Sequence, residues 1–389
     1  MEFTQILNQY HQFIESSLKD RFFKHSHIEH LIRKYAHVFK IRKLGNSNEN
    51  RSIHLLSWGE GKTKVLLWSQ MHGNEPTGTM AIFDLLNFIL QNLDKPEIIA
   101  LQQNCSLHFI PMVNPDGAER FIRRNANQID LNRDYLDAIT IEASILKKIR
   151  DEINPDFGFN LHDQSTLWSV KNSLEPATIS FLAPAYNEEC SVNKVRERAM
   201  LVIADIYSTL SKFIPKNIGL FDETFEPRAF GDNFQKKGTS TLLIEAGGLQ
   251  NDPEKQNIRK YYFLSILKGL LSISNQTYLN KSVEDYRAIS SNAKQLYHII
   301  IERVSVNGVE TNMCLNFEEN NLNHPNVWVV HDIGNTTGYN GYTKFLNGPF
   351  KILEYVEVDK EANFKLLKDN EIILVFKNGK LVDSTLQIN

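Results

Sequence analysis

The feature that most constrains this chain is an alternation of strand-like and helix-like segments from Lys64 to about Ile273. Short apolar runs, typical of buried strands, are separated by longer stretches with helical spacing. The predicted elements are strand Lys64–Trp68, helix Thr77–Leu90, strand Ser106–Met112, helix Ile139–Ile153, strand Phe157–Leu161, helix Asn193–Phe213, strand Thr241–Ile244 and a helix over residues 256–274. Such alternation predicts an α/β sandwich with a largely parallel central sheet, whose ligands bind beyond the carboxyl ends of the strands.

Three potential metal ligands lie at the ends of two predicted strands. His72 and Glu75 follow the apolar run Val65–Trp68, and their three-residue spacing on a turn allows both side chains to converge on one point. His162 follows the strand that begins at Phe157. Two imidazoles and a carboxylate, with a fourth position left for water, predict a catalytic zinc site rather than a closed structural one. A lone histidine after a strand is more often a hydrogen-bonded polar group, so the interpretation depends on the surrounding motifs.

Five motifs that contain or adjoin these residues follow one another in order. They are HGNEPTG (His72–Gly78), NPDG (Asn114–Gly117), RRNANQIDLNRD (Arg123–Asp134), NLHD (Asn160–Asp163) and LIEAGG (Leu243–Gly248). Together they resemble the zinc carboxypeptidase family, the relatives of carboxypeptidase A, over most of the region from residue 40 to residue 275. The resemblance implies a three-layer α/β/α domain with a mixed, largely parallel central sheet. It also implies one Zn²⁺ per chain, bound by His72, Glu75 and His162.

The resemblance assigns roles to residues outside the metal site as well. It implies that Glu245 is the general base and acid, which takes a proton from a zinc-activated water and passes it to the leaving amine. Arg123 is implied to stabilise the oxyanion, with Arg124 as the alternative. Asn132 and Arg133 match the pair that binds the free carboxylate of the substrate, for which the planar fork of a guanidinium is well suited.

Three further polar side chains are expected to order the site. A metal-bound imidazole usually donates its other ring N–H to a nearby acceptor, and Asp163 and Asn160 flank His162 in the sequence. Asp130, inside the third motif, is expected to orient its loop rather than to react.

One stretch departs from the pattern of the digestive members of the family. Those enzymes carry a tyrosine on a loop ahead of the glutamate, whereas residues 219–238, GLFDETFEPRAFGDNFQKKG, contain no tyrosine. Phe221, Asp222 and Arg228 are the candidates that this stretch offers instead. Arg228 either supplies an additional contact to the substrate anion or pairs with Asp232.

These residues predict a zinc-dependent metallocarboxypeptidase, a hydrolase that cleaves an amide bond next to a free carboxylate. One alternative is hydrolysis of N-acyl amino acids, as in the desuccinylase and aspartoacylase branch, so the expected substrate is a peptide or an N-acyl amino acid. The other alternative is a non-catalytic binding module on the same fold. Such a module typically lacks a metal ligand or the glutamate, whereas this chain has all three potential ligands and the glutamate.

Two domains are expected along the chain. Residues 1–275 predict the catalytic domain, including short N-terminal helices, and residues 285–389 predict a small β-rich accessory domain. The polar stretch Ser274–Ser282 lies between them. Asn-Gly pairs between apolar runs, which favour hairpins, mark the second domain. These pairs are Asn307-Gly308, Asn340-Gly341, Asn347-Gly348 and Asn378-Gly379.

Composition excludes several classes of protein. A net charge of −3 argues against a surface that binds nucleic acid. Cys105, Cys190 and Cys314 form no CxxC pair, so neither a disulfide framework nor a cysteine zinc site is expected. The first residues lack the pattern of a signal peptide, and no apolar run approaches the ~20 residues that span a bilayer. The expectation is a cytoplasmic protein without a membrane partner.

Overall fold

The computed structural model describes residues 2–171, 173–306, 308–318, 327–345, 350–358, 361–368, 371–377 and 380–384. It divides the chain into two compact units, Met1–Asn292 and Ala293–Asn389. The sequence prediction ended the catalytic domain at residue 275, whereas the first unit of the structure continues for a further short helical region.

The first unit contains an eight-stranded mixed sheet. Its strands are β1 (Lys40–Asn46), β2 (Ser52–Trp58), β3 (Thr63–Ser69), β4 (Cys105–Ile110), β5 (Phe157–Asp163), β7 (Ile179–Leu182), β8 (Ile218–Leu220) and β9 (Ser240–Ala246), and the two-residue strand β6 (Ser169–Val170) lies outside it. Their order across the sheet is β1-β2-β4-β3-β5-β9-β7-β8. Four of the seven pairings are parallel, and these include the central run β4-β3-β5-β9.

Helices cover both faces of this sheet. They are α1 (Phe3–Asn8), α2 (His25–Lys34), α3 (Thr77–Gln91), α4 (Pro96–Asn104), α5 (Pro115–Arg120), α6 (Ile141–Ile153), α7 (Lys194–Leu210), α8 (Phe230–Lys236), α9 (Gln256–Ser274) and α10 (Val283–Arg287), with 3₁₀ segments at Tyr10–Gln12, Leu131–Arg133 and Thr277–Asn280. Apolar side chains of α3, α7 and α9 share one core cluster with Val65 and Leu67 of β3. Those of α6 and α8 share another with Leu66 and Trp68. Because successive residues of a strand face opposite sides, this alternation places β3 between two helical layers and confirms the three-layer α/β/α architecture.

The second unit is composed of β-strands in the part that the structure describes. They are β11 (Leu296–Val306), β12 (Val309–Glu318), β13 (Val327–Gly334), β14 (Asn340–Phe345), β15 (Phe350–Val358), β16 (Glu361–Lys368), β17 (Glu371–Lys377) and β18 (Lys380–Ser384), preceded by the two-residue strand β10 (Asn292–Ala293) at the boundary of the units. Their order is β12-β13-β18-β17-β16-β15-β11-β14, and an additional pairing joins β12 to β11. The small β-rich domain expected from the sequence is therefore present.

The Asn-Gly pairs had mixed outcomes. Gly308, with a φ of +83°, lies in the turn between β11 and β12. The prediction of a turn at Asn340-Gly341 is wrong, because both residues begin β14 and the turn falls just before them, at Gly338, with a φ of +86°. Asn307, Asn347-Gly348 and Asn378-Gly379 lie outside the described residues. No helix in the described part of the chain combines the length and the apolar character needed to cross a bilayer.

Candidate functional site

The first two candidate ligands lie in the turn that joins β3 to α3. Gln70 has a φ of +51° there. A Cβ on Gly73 would lie 2.0 Å from the backbone carbon of Gly117, so only glycine fits at this position. A 3.1 Å backbone hydrogen bond from the nitrogen of Glu75 to the oxygen of His72 closes the turn. The turn therefore holds both side chains beyond the carboxyl end of β3.

His72, Glu75 and His162 form one buried cluster. Their three potential ligand atoms all lie within 4.8 Å of one another. Oε1 of Glu75 is 2.8 Å from Nδ1 of His72, and Oε2 is 2.7 Å from Nδ1 of His162. Burial alone would raise the pKa of Glu75, but the two adjacent imidazoles lower it well below its ordinary value.

This donor set fits zinc. Two imidazole nitrogens and one carboxylate oxygen are borderline and hard donors that Zn²⁺ accepts in catalytic sites, where three protein ligands leave a further position open. Within the described ranges, this is the one group of three or more His, Cys, Asp or Glu side chains with such an arrangement. The cluster is therefore compatible with one zinc ion per chain.

Asp130 orients the ring of His72, a contact that the sequence did not reveal. Nε2 of His72 donates to Oδ1 of Asp130 over 3.0 Å. Burial would raise the pKa of Asp130, but His72 and Arg123 together lower it. A carboxylate in this position would fix which ring nitrogen faces a bound metal ion. Asp130 also orders its own loop as expected, since Oδ1 accepts a 2.9 Å hydrogen bond from the backbone nitrogen of Asn132.

The expectation that Asp163 and Asn160 accept hydrogen bonds from the imidazoles is wrong. Side chains alternate along a strand, so Asp163 faces away from His162. Its carboxylate accepts hydrogen bonds from Thr77 at 2.7 Å and from Nζ of Lys255 at 3.1 Å. Asn160 shares the face of His162, but residues two apart on a strand are separated by roughly 7 Å. Nε2 of His162 and Oδ1 of Asn160 are both buried without a hydrogen-bond partner among the described residues.

Glu245 lies beside His162 in the neighbouring strand. β5 and β9 are parallel, and the two residues are partners in their register. Oε2 of Glu245 is buried and has no hydrogen-bond partner in the described part of the chain. Burial and then the nearby carboxylates of Glu75 and Asp163 raise the pKa of Glu245 well above its ordinary value. A buried carboxylate oxygen without a partner is costly, and carboxylates with strongly shifted pKa values cluster at functional sites, so Glu245 is a candidate functional residue.

Arg123 reaches the ligand cluster, whereas Arg124 does not. Nη1 of Arg123 lies 3.2 Å from Oε1 of Glu75, and its Nε donates to Oδ2 of Asp130 over 3.0 Å. Arg124 instead donates to the backbone oxygen of Gln128 over 2.8 Å. Of the two arginines, only Arg123 lines the cavity described below.

Asn132 and Arg133 lie in the 3₁₀ segment that follows Asp130. Oδ1 of Asn132 accepts a 2.9 Å hydrogen bond from the backbone nitrogen of Phe230, which joins this loop to the start of α8. Nε of Arg133 lies 3.1 Å from Oε2 of Glu226. The guanidinium that was expected to bind a substrate carboxylate is thus already held by a carboxylate of the protein.

Arg228 binds the same glutamate and not Asp232. Its Nε and Nη2 donate to the two oxygens of Glu226 over 2.9 and 2.8 Å. Arg228 and Arg133 together lower the pKa of Glu226 to about 2. Arg228 does not line the cavity, so its predicted contact with substrate has no support in this geometry. Glu226 is a site residue that sequence reasoning missed, although its spacing from Arg228 in the Glu-Pro-Arg sequence was a visible signal.

Most of the groups described above face one cavity of about 370 Å³, which Asp130, Arg124 and Arg228 do not line. It is lined by His72, Glu75, Arg123, Asn132, Arg133, Asn160, His162, Asp163, Gln164, Ser165, Trp168, Leu182, Pro184, Phe221, Asp222, Thr224, Glu226, Ala229, Gly231, Asp232, Leu243 and Glu245. Phe221 and Asp222, from the stretch that lacks the tyrosine, are among them. The cavity therefore combines the cluster of potential metal ligands, a carboxylate with one unpaired oxygen and two arginines.

Comparisons with known proteins agree with this site. Residues 25–175 match the family model described as zinc carboxypeptidase. Human carboxypeptidase D is 28% identical over 120 residues, which are 26% of this chain and 9% of that protein. Carboxypeptidase E of Caenorhabditis elegans is 33% identical over 137 residues, 29% of each chain. The chain thus spans less than a third of the length of either relative.

Solved structures agree on the fold. The metallo-carboxypeptidase of Burkholderia cenocepacia superposes with a TM-score of 0.54 at 14% identity, over 67% of this chain and 70% of that one. Fold and site together define a three-layer α/β unit with a two-histidine, one-glutamate cluster that is compatible with a metal ion. In sequence over residues 25–175, and in fold, the chain is similar to the zinc carboxypeptidase family.

Proposed function

We propose that this chain is a zinc-dependent carboxypeptidase, which hydrolyses the peptide bond next to a free C-terminal carboxylate. The observation that carries the proposal is the shared cavity. The metal-ligand cluster, Glu245, Arg123 and the Asn132–Arg133 pair all line it. A carboxylate-binding group at a fixed place beside a hydrolytic centre selects the bond nearest the end of a peptide.

Each residue has a distinct role in this proposal. The chemistry that zinc supplies when bound at such a site is a water of lowered pKa and a polarised carbonyl. Glu245 accepts the proton of the attacking water and returns it to the leaving amine, for which its raised pKa is suited. Arg123 stabilises the negative charge that develops on the carbonyl oxygen. Arg133 and Asn132 bind the terminal carboxylate.

The test is hydrolysis of one short peptide in two forms, with a free C-terminus and as the C-terminal amide. Purified protein with equimolar zinc should cleave the acid and release its last residue, and the amide should be a poor substrate. A chelator should abolish cleavage, and added zinc should restore it. Equal cleavage of both forms would remove the carboxylate site from the proposal.

The same assay separates the alternatives. N-acyl amino acids cleaved in preference to peptides would favour the acyl amino acid hydrolase. Protein that binds no stoichiometric divalent ion, even after zinc is added, would favour the non-catalytic module. A cytoplasmic location stays a prediction from the sequence alone.

A further inference from the structure

One edge of the central sheet is open to an additional strand. β1 is the terminal strand in the order of the sheet, and among the described residues it pairs only with β2. Its pairing is regular over Lys40–Lys43 and irregular between Lys43 and Gly45. In a strand paired on one side, every second residue directs its backbone N–H and C=O away from the partner. The outer edge of β1 therefore presents donors and acceptors that another strand is able to bind.

The opposite edge of the sheet differs from this one. There β8 has three residues, and Leu220 is already bridged to Ser291. A short, partly covered strand is one of the ways in which proteins close the edge of a sheet. β1 has seven residues, so it is the edge with the length to accept a partner.

A groove lies beside the open edge, between β1 and helix α6. It encloses about 140 Å³ and is lined by Arg42, Lys43, Leu44, Ile145, Lys148, Ile149 and Glu152. The four residues of α6 have the spacing i, i+3, i+4 and i+7, which places them on one face of the helix. Ile149 is buried and Leu44 and Ile145 are half-buried, whereas Lys43 and Lys148 are exposed. The groove thus has an apolar lining with basic side chains toward the solvent.

The apolar surface of α6 continues beyond the groove. Ile141 lies four residues before Ile145, on the same face of the helix, and is 46% exposed. Single exposed aliphatic side chains are ordinary on protein surfaces. Here the exposed side chain extends an apolar row that adjoins an open strand, and this combination is typical of sites that bind an extended peptide.

The charges along this edge favour one kind of partner. Glu152, the acid of the groove, is bound by Arg42, whereas Lys43 and Lys148 form no ion pair among the described residues. Two copies joined edge to edge through β1 would place Lys40, Arg42 and Lys43 opposite the same residues of the other copy, and like charges in that position are destabilising. An acidic segment is attracted instead.

We propose that the outer edge of β1 is a docking site for an extended segment of another protein that carries apolar and acidic side chains on one face. Backbone hydrogen bonds to β1 give the affinity, and the side chains that enter the groove give the specificity. The apolar ones contact Leu44 and Ile145, and the acidic ones pair with Lys43 and Lys148. None of the groove residues lines the cavity of the metal-ligand cluster, so the docking site does not depend on the proposed function.

The experiment uses a synthetic peptide as the probe. It is acetylated, fluorescently labelled and seven residues long, like β1, with Glu and Val alternating at the odd positions and Thr at the even ones. Binding to the full chain is measured by fluorescence anisotropy. Wild-type protein should bind the probe saturably, and more weakly as salt is added. The same peptide with Lys in place of Glu should bind at least about tenfold more weakly, because it meets like charges.

N-methylated forms of the probe test whether it adds as a strand. Methyl groups on the nitrogens of the odd positions block one edge of the extended peptide, and methyl groups on those of the even positions block the other. One form should lose affinity by at least about tenfold, because several strand hydrogen bonds are prevented, and the other form should bind like the parent. Equal affinity of the two forms would overturn the proposal and leave electrostatic attraction alone.

Charge reversal tests the location. Lys43→Glu combined with Lys148→Glu should lower the affinity for the probe by at least about tenfold. The matched control combines Lys212→Glu with Lys216→Glu, because both lysines are exposed and lie just before β8, at the opposite edge. This control should bind the probe like wild type. Equal affinity of the two double variants would contradict the proposal, as would wild-type protein that does not bind the probe.

Sedimentation of the full chain tests the alternative occupant, a second copy. We expect the oligomeric state to be the same in wild type and in the variant that combines Lys43→Glu with Lys148→Glu. A wild-type dimer that excludes the probe and dissociates in that variant would assign the edge to a second copy and overturn the proposal.

Discussion

The polar groups of the cavity fall into two sets, those that the protein has already paired and those that it has left unpaired. Arg123 and Arg133 belong to the first set, because Asp130 and Glu226 bind their guanidinium groups. Glu245 and Asn160 belong to the second, since each has a buried oxygen without a partner among the described residues. The paired groups are fixed in place before substrate arrives. Of the unpaired groups, the carboxyl group of Glu245 is the one that is able to exchange a proton.

The largest effect is expected at the unpaired carboxylate. Glu245→Gln keeps the shape of the side chain but cannot accept a proton, so kcat should fall by ~10²–10⁴-fold. Zinc content, measured on the purified variant, should stay at one ion per chain because Glu245 is not one of the three clustered ligands.

Glu142→Gln is the matched control. Glu142 is also fully buried, but Asn125 and the backbone nitrogen of Asn48 donate to its carboxylate, away from the cavity. This control should leave kcat unchanged. A wild-type rate in Glu245→Gln would refute its role in proton transfer.

The next prediction concerns the stability that a buried ion pair, Lys255 with Asp163, gives to the fold. Nζ of Lys255 lies 3.1 Å from Asp163, and both side chains are almost fully buried. Lys255→Met leaves the carboxylate without its cation and should lower the free energy of unfolding by ~3–5 kcal/mol, measured by urea denaturation of the zinc-free protein. Lys212→Met, at an exposed position, should change it by less than ~0.5 kcal/mol. Similar values for the two variants would mean that the buried pair contributes nothing.

A smaller effect is expected where a paired arginine binds substrate. Arg133→Ala should weaken binding of peptides with a free C-terminus, mainly by raising KM. The expected loss is ~1.5–3 kcal/mol, which is the contribution of a hydrogen bond to a charged group. Arg133→Lys should rescue little, because the fork geometry is lost while the charge remains. Arg123→Ala should instead lower kcat, since its contact strengthens as charge develops on the carbonyl oxygen.

Glu226→Gln tests whether prior pairing assists Arg133 or competes with the substrate. Glu226 is held by four donors, three of them on Arg228, so it is an anchor that orders Arg133. KM should therefore rise in Glu226→Gln. A fall in KM would show that Glu226 occupies the place of the substrate carboxylate.

The parts of the fold that the sequence predicted are those with long periodic segments. Helix α3 was expected at Thr77–Leu90 and spans Thr77–Gln91, and α9 spans the whole of the segment expected at residues 256–274. The three-residue strand β8 and the seven-residue helix α8 escaped prediction. Elements this short give too few residues for a periodic pattern to emerge.

The candidate site was also predicted only in part. The sequence identified the residues that motifs carry, namely the three ligands, Glu245, Arg123 and the Asn132–Arg133 pair. It did not reveal which carboxylate holds His72, because Asp130 lies 58 residues away along the chain. Lys255 and Asp163 are 92 residues apart for the same reason. Such pairings depend on how strands and loops meet in three dimensions, and no local pattern encodes them.

The smallest effect compares two buried asparagines, one paired and one not. Oδ1 of Asn114 accepts a 2.8 Å hydrogen bond from the nitrogen of Gly117, and its Nδ2 donates to the oxygen of Met71 over 3.2 Å. Asn114→Leu leaves both backbone groups unsatisfied and removes the N-cap of α5, so it should cost at least ~2 kcal/mol of unfolding free energy.

In Asn160→Leu the oxygen that disappears has no partner to lose. Replacement by an apolar side chain of similar size should therefore raise the free energy of unfolding, by less than ~1 kcal/mol. Urea denaturation of the two variants beside wild type measures the difference. If Asn160→Leu costs as much as Asn114→Leu, Asn160 supports the fold and the contrast between paired and unpaired groups does not extend to Asn160.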